Sequence, residues 1–307
     1  MNPSRGIALK IVSTFVFTLM SVCVKLVADR VPAGEIVFAR SFFALIPVCG
    51  MLLWQGQLYQ SLKTDRPWLH ASRGAVGISS MAFGFLALGY LPLPEAMMIG
   101  YAAPLMVVAL SALILSEVVR VYRWTATAIG FAGILIILWP RLTFFAGSAG
   151  ILEHAALIGA AFALGGAFSS AFAAIFIRSM TRTESTGSIV IYFALSGTLI
   201  SLVSIAFGWI VPTVHDAFLL VAIGLLGGTG QILMTSAYRH ADAATVASFE
   251  YVSMLWGLTF SYFVFDEVPA TTAIIGGAIV IAAGIFIIFR ERALGLQRRR
   301  DSSPPMS

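Results

Sequence analysis

The sequence predicts an all-α integral membrane protein of ten transmembrane helices, arranged as two inverted five-helix repeats. Three observations carry that reading. Of 307 residues, 59% are hydrophobic and 11% charged, with a mean hydropathy of +0.93. Soluble domains carry about 25% charged residues, and no globule of this size has interior enough for so much apolar surface. Apolar windows of about 20 residues, the length that crosses about 30 Å of hydrocarbon, recur along the chain. Lys and Arg collect in alternate connections between them. Soluble enzymes and nucleic-acid binders are excluded, despite a net charge of +5 and a pI near 9.5.

The first window, 7–28, starts beside Arg5 and Lys10 as a signal peptide would, but it runs to about Ala28 with no convincing A-x-A site and is expected to remain as a span. The second, 34–54, ends at the longest connection, Gln55 to Pro67 (QGQLYQSLKTDRP). The third and fourth, 68–89 and 94–115, are parted by the single turn Leu91-Pro92-Leu93, and 122–139 is the fifth. The windows 151–178, 187–209, 216–237, 243–265 and 270–289 complete the set. Such short connections leave no room for an extramembrane catalytic domain. With both termini in the cytoplasm, fifteen of the 19 basic residues fall on the inner side: Arg5, Lys10, Lys63, Arg66, Arg73, Arg120, Arg123, Arg178, Arg182, Arg239, Arg290, Arg292, Arg298, Arg299 and Arg300. Only Arg30 and Arg141 fall outside, and Lys25 and Arg40 lie within spans. The expected location is a bacterial inner membrane.

The organisation expected is a first repeat at 1–145, a second at 146–290, and a disordered basic cytoplasmic tail at 291–307. Tyr90 to Trp139 resembles Tyr238 to Ile288: Tyr101 lines up near Tyr251, Glu117 with Glu267, and Gly133 with Gly284. Five spans per copy is an odd number, so the second copy enters the bilayer from the opposite side. Secondary transporters are commonly built this way, because similar halves can exchange roles around one central site. Gly74 and Gly77, Gly130 and Gly133, Gly224 and Gly228, and Gly276 and Gly284 are spaced for close helix packing. Pro47 and Pro104 lie inside spans, where they permit kinks.

Cys23 and Cys49 both fall in apolar segments, which excludes a disulfide framework. His70, His154, His215 and His240 stand at span ends, read as solvated and without metal-ligand spacing. Neither a Walker-type phosphate loop nor HExxH occurs. No metal, no cofactor and no enzymatic activity are expected.

LPLPEAMMIGYAAPLMVVALSALILSE followed by YRWTATAIGFAGILIILWP, and ATVASFEYVSMLWGLTFSYFVFDE followed by VPATTAIIGGAIVIAAGIFII, resemble the two half-ends of the drug/metabolite transporter superfamily, EamA type. The likeness covers about residues 5–290. Glu117 and Glu267 stand where the family usually has a Gly-Glu pair, but here Ser116 and Asp266 replace the glycine, and Met254 stands where a Pro is common. PAGEIVFARSFFA, LPLPEA and SFEY are most similar to bacterial carriers that include riboflavin permeases.

Ionisable residues within hydrocarbon cost on the order of 2.5–3.5 kcal/mol, so they default to functional candidates. Glu250 and Arg40 each lie about 10 Å into a span at 1.5 Å per residue. They read either as a register-fixing ion pair or as a fixed cation and a proton-carrying carboxylate lining a cavity. Lys25, nearer an end, is expected to snorkel or to pair with Asp29. Among the aromatic residues Phe42, Tyr101, Tyr192, Phe249, Tyr251 and Trp256, the candidates are Tyr101, Tyr251 and Trp256, each a flat face with one polar atom. Gln231 and Ser253 are placed to read the polar edge of a planar heterocycle. The function expected is alternating-access transport of a small organic metabolite, with riboflavin or a related flavin first. An amino-acid, nucleoside-type or S-adenosylmethionine carrier or exporter is the alternative, and a non-transporting membrane scaffold the reading from another class. The partners expected are a small-molecule substrate and the bilayer, not nucleic acid, with a homodimer left open.

Overall fold

The computed structural model describes residues 3–64, 66–114, 121–142, 151–180, 183–240 and 249–301. Among these, every regular element is helical and none is a strand. α1 (Pro3–Val27) turns tightly into α2 (Ala33–Trp54), and one helical turn, α3 (Leu58–Ser61), occupies the long connection before α4 (Pro67–Tyr90). α5 (Leu93–Gly100) and α6 (Ala102–Ile114) share the fourth window, and α7 (Val121–Leu142) covers the fifth. α8 (Ile151–Met180), α9 (Thr186–Ser201), α10 (Val214–His240), α11 (Ser253–Phe265) and α12 (Thr271–Asp301) follow. Tighter 3₁₀ turns extend α9 at Leu202–Phe207 and precede α11 at Phe249–Val252. α12 runs on as helix to Asp301, so residues 291–301 are not the disordered tail that their charge suggests. RERALGLQRRR is composed mostly of good helix formers that need no apolar partner to extend an existing helix.

Among the described residues, six stretches are long and apolar enough to cross a membrane: Ser4–Val27, Ala33–Trp54, Pro67–Tyr90, His154–Ile177, Thr186–Phe207 and Val214–Ala237. Shorter apolar helices lie at Leu93–Val107, Trp124–Trp139, Ser253–Phe265 and Thr271–Phe286. Only 39–44% of each long window is buried, and large side chains such as Trp54, Leu53, Val203 and Phe263 point outward. Apolar surface of that extent on helices whose backbone bonds are satisfied internally suits contact with acyl chains. This is a multi-pass membrane protein.

The fourth window breaks at Tyr101 for a local reason. Pro104 has no N–H to give the Gly100 carbonyl, and its ring crowds that oxygen. The helix therefore restarts at Ala102 with the proline in its first turn, where proline is tolerated. Pro47, by contrast, sits inside an unbroken α2.

α1 lies along α10 and touches α11 and the Phe249–Val252 turn; α8 lies along α4 and touches α5 and α6. α2 packs on α9 and α10, α4 on α9, and α7 on α12. The α7–α12 crossing is made by glycine: a Cβ on Gly133 would stand 2.8 Å from the Gly276 carbonyl oxygen. One apolar cluster gathers α4 to α8 with α12, and a second gathers α1, α2, α4 and α10.

The ion pairs of the described residues sit at the two ends of the bundle. Where α1 finishes, Lys25 pairs with Glu267 at 2.9 Å and Arg30 with Asp216 at 2.7 Å. Where α1 begins, Lys10 pairs with Glu250, and His70 Nε2 lies 3.4 Å from Glu184. Two expectations change here. Lys25 reaches Glu267, and donates to the Leu91 carbonyl oxygen at 2.8 Å, instead of pairing with Asp29, because α1 ends against the connections that follow α4 and α11. His70 is 3% exposed, not solvated, since it stacks on Tyr192 at 4.5 Å.

Candidate functional site

The two interrupted segments meet. Tyr101, buried at the α5–α6 break, has its hydroxyl 2.6 Å from Ser253 Oγ at the start of α11. Ser253 Oγ donates in turn to the Glu250 carbonyl oxygen at 2.6 Å. A serine has one hydroxyl proton, so the tyrosine donates to the serine. One turn further along α11, Trp256 meets Phe15 of α1 edge-on, with ring centroids 5.3 Å apart at 82°. Its Nε1 is buried without a hydrogen-bond partner, as is Ser13 Oγ on α1. Buried polar atoms are normally paired, so each of these leaves a hydrogen-bonding capacity that the chain does not use.

Arg40 and Glu250 do not form the ion pair their depth suggested. Glu250 takes Lys10 instead, a side chain only 1% exposed, while the carboxylate end remains 44% exposed. The reason lies in packing: α1 begins against the Phe249–Val252 turn, whereas α2 carries Arg40 toward α9 and α10. Tyr251 has its backbone in the same turn, and its side chain lies outside the described residues. Phe42 is 45% exposed and faces outward, and Tyr192 donates to the Leu62 carbonyl oxygen at 2.9 Å near the end of the bundle, so neither joins the others.

Arg40 sits in a second polar cluster. It is 5% exposed, and its Cζ lies 5.2 Å from the centroid of the Phe193 ring on α9. Arg73 of α4, also 5% exposed, lies 4.0 Å from the same centroid. Gly227 of α10 makes room, since a Cβ there would stand 2.9 Å from Arg40 Nε. Gln231, 9% exposed, is one turn further along α10.

Lys10, Ser13, Arg73 and Phe193 were not read from the sequence as site residues. Lys10 and Arg73 did carry a signal, because each falls inside an apolar window, 7–28 and 68–89, although both were counted with the inner connections. Without these two, thirteen basic residues remain on the inner side against Arg30 and Arg141. Ser13 and Phe193 carried none, being ordinary residues of apolar helices.

Outside the spans, the Asp216 carboxylate holds the Arg30 guanidinium above its ordinary pKa by hydrogen bonding to it. Among the described residues no group of three or more His, Cys, Asp or Glu could hold a metal ion. Cys23 and Cys49 are free thiols.

The EamA-like transporter family matches residues 4–139 and 157–290. The chain is 29% identical to an S-adenosylmethionine uptake transporter of Rickettsia bellii (strain RML369-C), over 92% of each chain. It is 29% identical to the pseudopaline exporter CntI of Pseudomonas aeruginosa (strain UCBPP-PA14), over 91% of this chain and 94% of that one. It is 28% identical to a riboflavin transporter of Rhizobium johnstonii, over 99% and 96% respectively. A solved crystal structure superposes with a TM-score of 0.64 at 18% identity, covering 96% of this chain and 99% of that one, which shows a shared fold.

Proposed function

The chain belongs to the EamA-like transporter family, and from that premise we propose that it is a secondary carrier of a small organic metabolite in a bacterial inner membrane. In this reading ten spans form two inverted halves, both termini are cytoplasmic, and transport proceeds by alternating access. Packing supports the duplication. A two-fold exchanging 1–145 with 146–290 turns the α1–α11 contact into α8–α6, turns α2–α10 into α9–α4, and maps α2–α9 and α7–α12 onto themselves; all of these contacts are present.

The observation that carries the site is the meeting of the two helix interruptions at Tyr101 and Ser253, beside the unpartnered Trp256 Nε1. Broken helices at mid-membrane expose backbone and side-chain polar groups to a substrate while the rest of the bundle stays apolar. Tyr101, Ser253, Trp256 and Glu250, with Tyr251, Arg40 and Gln231 as further contributors, suit a planar heterocycle bearing hydrogen-bonding edges. Riboflavin and S-adenosylmethionine both have that chemistry, and relatives named for each support both.

Counterflow in proteoliposomes tests this. Vesicles preloaded with unlabelled riboflavin or S-adenosylmethionine are expected to accumulate the labelled compound saturably and transiently. Trp256→Phe, which removes only the indole N–H among polar groups, is expected to raise the half-saturation concentration about tenfold, the loss of one hydrogen bond of about 1.4 kcal/mol. Counterflow that is independent of preloading, or unaffected by the variant, contradicts the reading.

A further inference from the structure

The strongest unexplained feature of the molecule is the pair of buried arginines. Arg40 Nε, Arg73 Nε and Arg73 Nη1 are all buried with no hydrogen-bond partner. Neither guanidinium belongs to an ion pair of the described residues. Arg40 is the eighth residue of α2 and Arg73 the seventh of α4, so each lies about 10 Å from the start of its helix at 1.5 Å per residue. The two helices run in opposite directions, so each charge lies two turns inside its helix rather than at a helix end.

Phe193 does not neutralise them. A cation over an aromatic face gains on the order of 0.5–2 kcal/mol from the ring quadrupole, and here two cations share a single ring. Two like charges side by side in a dry interior repel, and each has lost its hydration. A helix bundle that needed only packing here would have no use for either charge. The guanidinium fork, however, matches one ligand chemistry closely: a planar oxyanion, bound through paired N–H donors.

Resting on the carrier reading above, we propose that Arg40 and Arg73 form a receptor for a carboxylate of the transported metabolite, with Phe193 as the flat wall between them. A carboxylate fits better than a phosphate ester. It is planar, like the guanidinium forks that would hold it, and it costs less to strip of water than a doubly charged phosphate. A cleft lined by Met51, Gln55, Val190, Ile232 and Thr235 lies between α2, α9 and α10, the helices that carry Arg40, Phe193 and Gly227, and Met51 stands about 16 Å along α2 from Arg40 at 1.5 Å per residue. The chemistry separates two of the substrates for which the relatives are named. S-adenosylmethionine carries an α-carboxylate and riboflavin carries none, so the receptor selects an amino-acid-bearing cargo.

The test is thermal unfolding of the purified full-length protein in detergent, at constant ionic strength, with three simple probes: succinate, its neutral analogue succinamide, and inorganic phosphate. Succinate alone is expected to raise the Tm in a saturable manner, because an anion held by the folded state stabilises it. Arg40→Gln and Arg73→Gln are each expected to weaken that response at least tenfold, and Lys at either position to restore part of it. Both Gln variants remove an unpartnered buried charge, so without succinate their Tm is expected to equal or exceed that of the wild type; a lower Tm contradicts the proposal. A succinate response that persists in both variants, a response to phosphate in place of succinate, or no response up to about 50 Kd of a typical millimolar site overturns it. Counterflow separates this from the carrier reading. Transport with no succinate response keeps the carrier and discards the receptor, whereas a succinate response without transport of any cargo does the reverse.

Discussion

At the scale of single residues, Asp266 shows how a departure from a family pattern acquires a physical meaning. It replaces the glycine that the Gly-Glu resemblance leads one to expect, and it stands at φ 52°, the left-handed conformation, closing α11 so that the next residue, Glu267, donates its N–H to the Ser261 carbonyl oxygen at 3.0 Å. An L-residue there costs roughly 1–2 kcal/mol, less for Asp and Asn than for most. The position is glycine-like because a helix must stop and turn at once, so that Glu267 can accept from Leu93 N–H at 3.2 Å and pair with Lys25. Asp266→Gly is expected to stabilise the protein by about 1 kcal/mol, read as a higher Tm in detergent; a fall in Tm means that the carboxylate itself is needed. The sequence carries the acid at 267 and the odd residue at 266, but not the partner. Lys25 was legible as an unusual charge within a span, whereas its reach to Glu267 depends on where α1 ends against two distant connections. Partner choice is a tertiary property, and for the same reason Glu250 was legible as a charge within a span while its pairing with Lys10 was not.

At the scale of elements, the windows were legible because an 18- to 25-residue apolar run has few alternatives. Their interruptions were legible only in part. Pro104 announces the α5–α6 break through its missing N–H, but the 3₁₀ turn at Phe249–Val252 has Met254 in the corresponding place and no proline to signal it. Tertiary contact with α1 takes the place of the local signal there. If the break matters for transport, Pro104→Ala, which lets α5 and α6 fuse by restoring the bond to the Gly100 carbonyl, is expected to raise the Tm while slowing counterflow several-fold. Equal counterflow rates in the two proteins indicate that the kink is only a packing feature.

At the scale of the whole molecule, three ion pairs of the described residues and the His70–Glu184 contact share one property: each joins a residue of 1–145 to a residue of 146–290, two where α1 begins and two where it finishes. Each pair keeps at least one member largely buried, so it fixes the register of the elements it joins, as clamps that hold one state at a time would. The proposed duplication has a sequence trace in the aligned Tyr101 and Tyr251 and the two terminal acids. The clamps have none, since their members come from unrelated positions in the two copies. The central claim is that the site around Ser253 faces one side at a time, and disulfide locking tests it most directly. In a background with Cys23 and Cys49 replaced by alanine, Ser253→Cys is the reporter, and Arg30→Cys with Asp216→Cys supplies a lock at the end where α1 finishes. With the lock oxidised, a membrane-impermeant thiol reagent is expected to reach the reporter only from the side where α1 begins, and with the lock reduced from either side. Labelling from both sides while locked, or from neither side in both states, contradicts alternating access around this site.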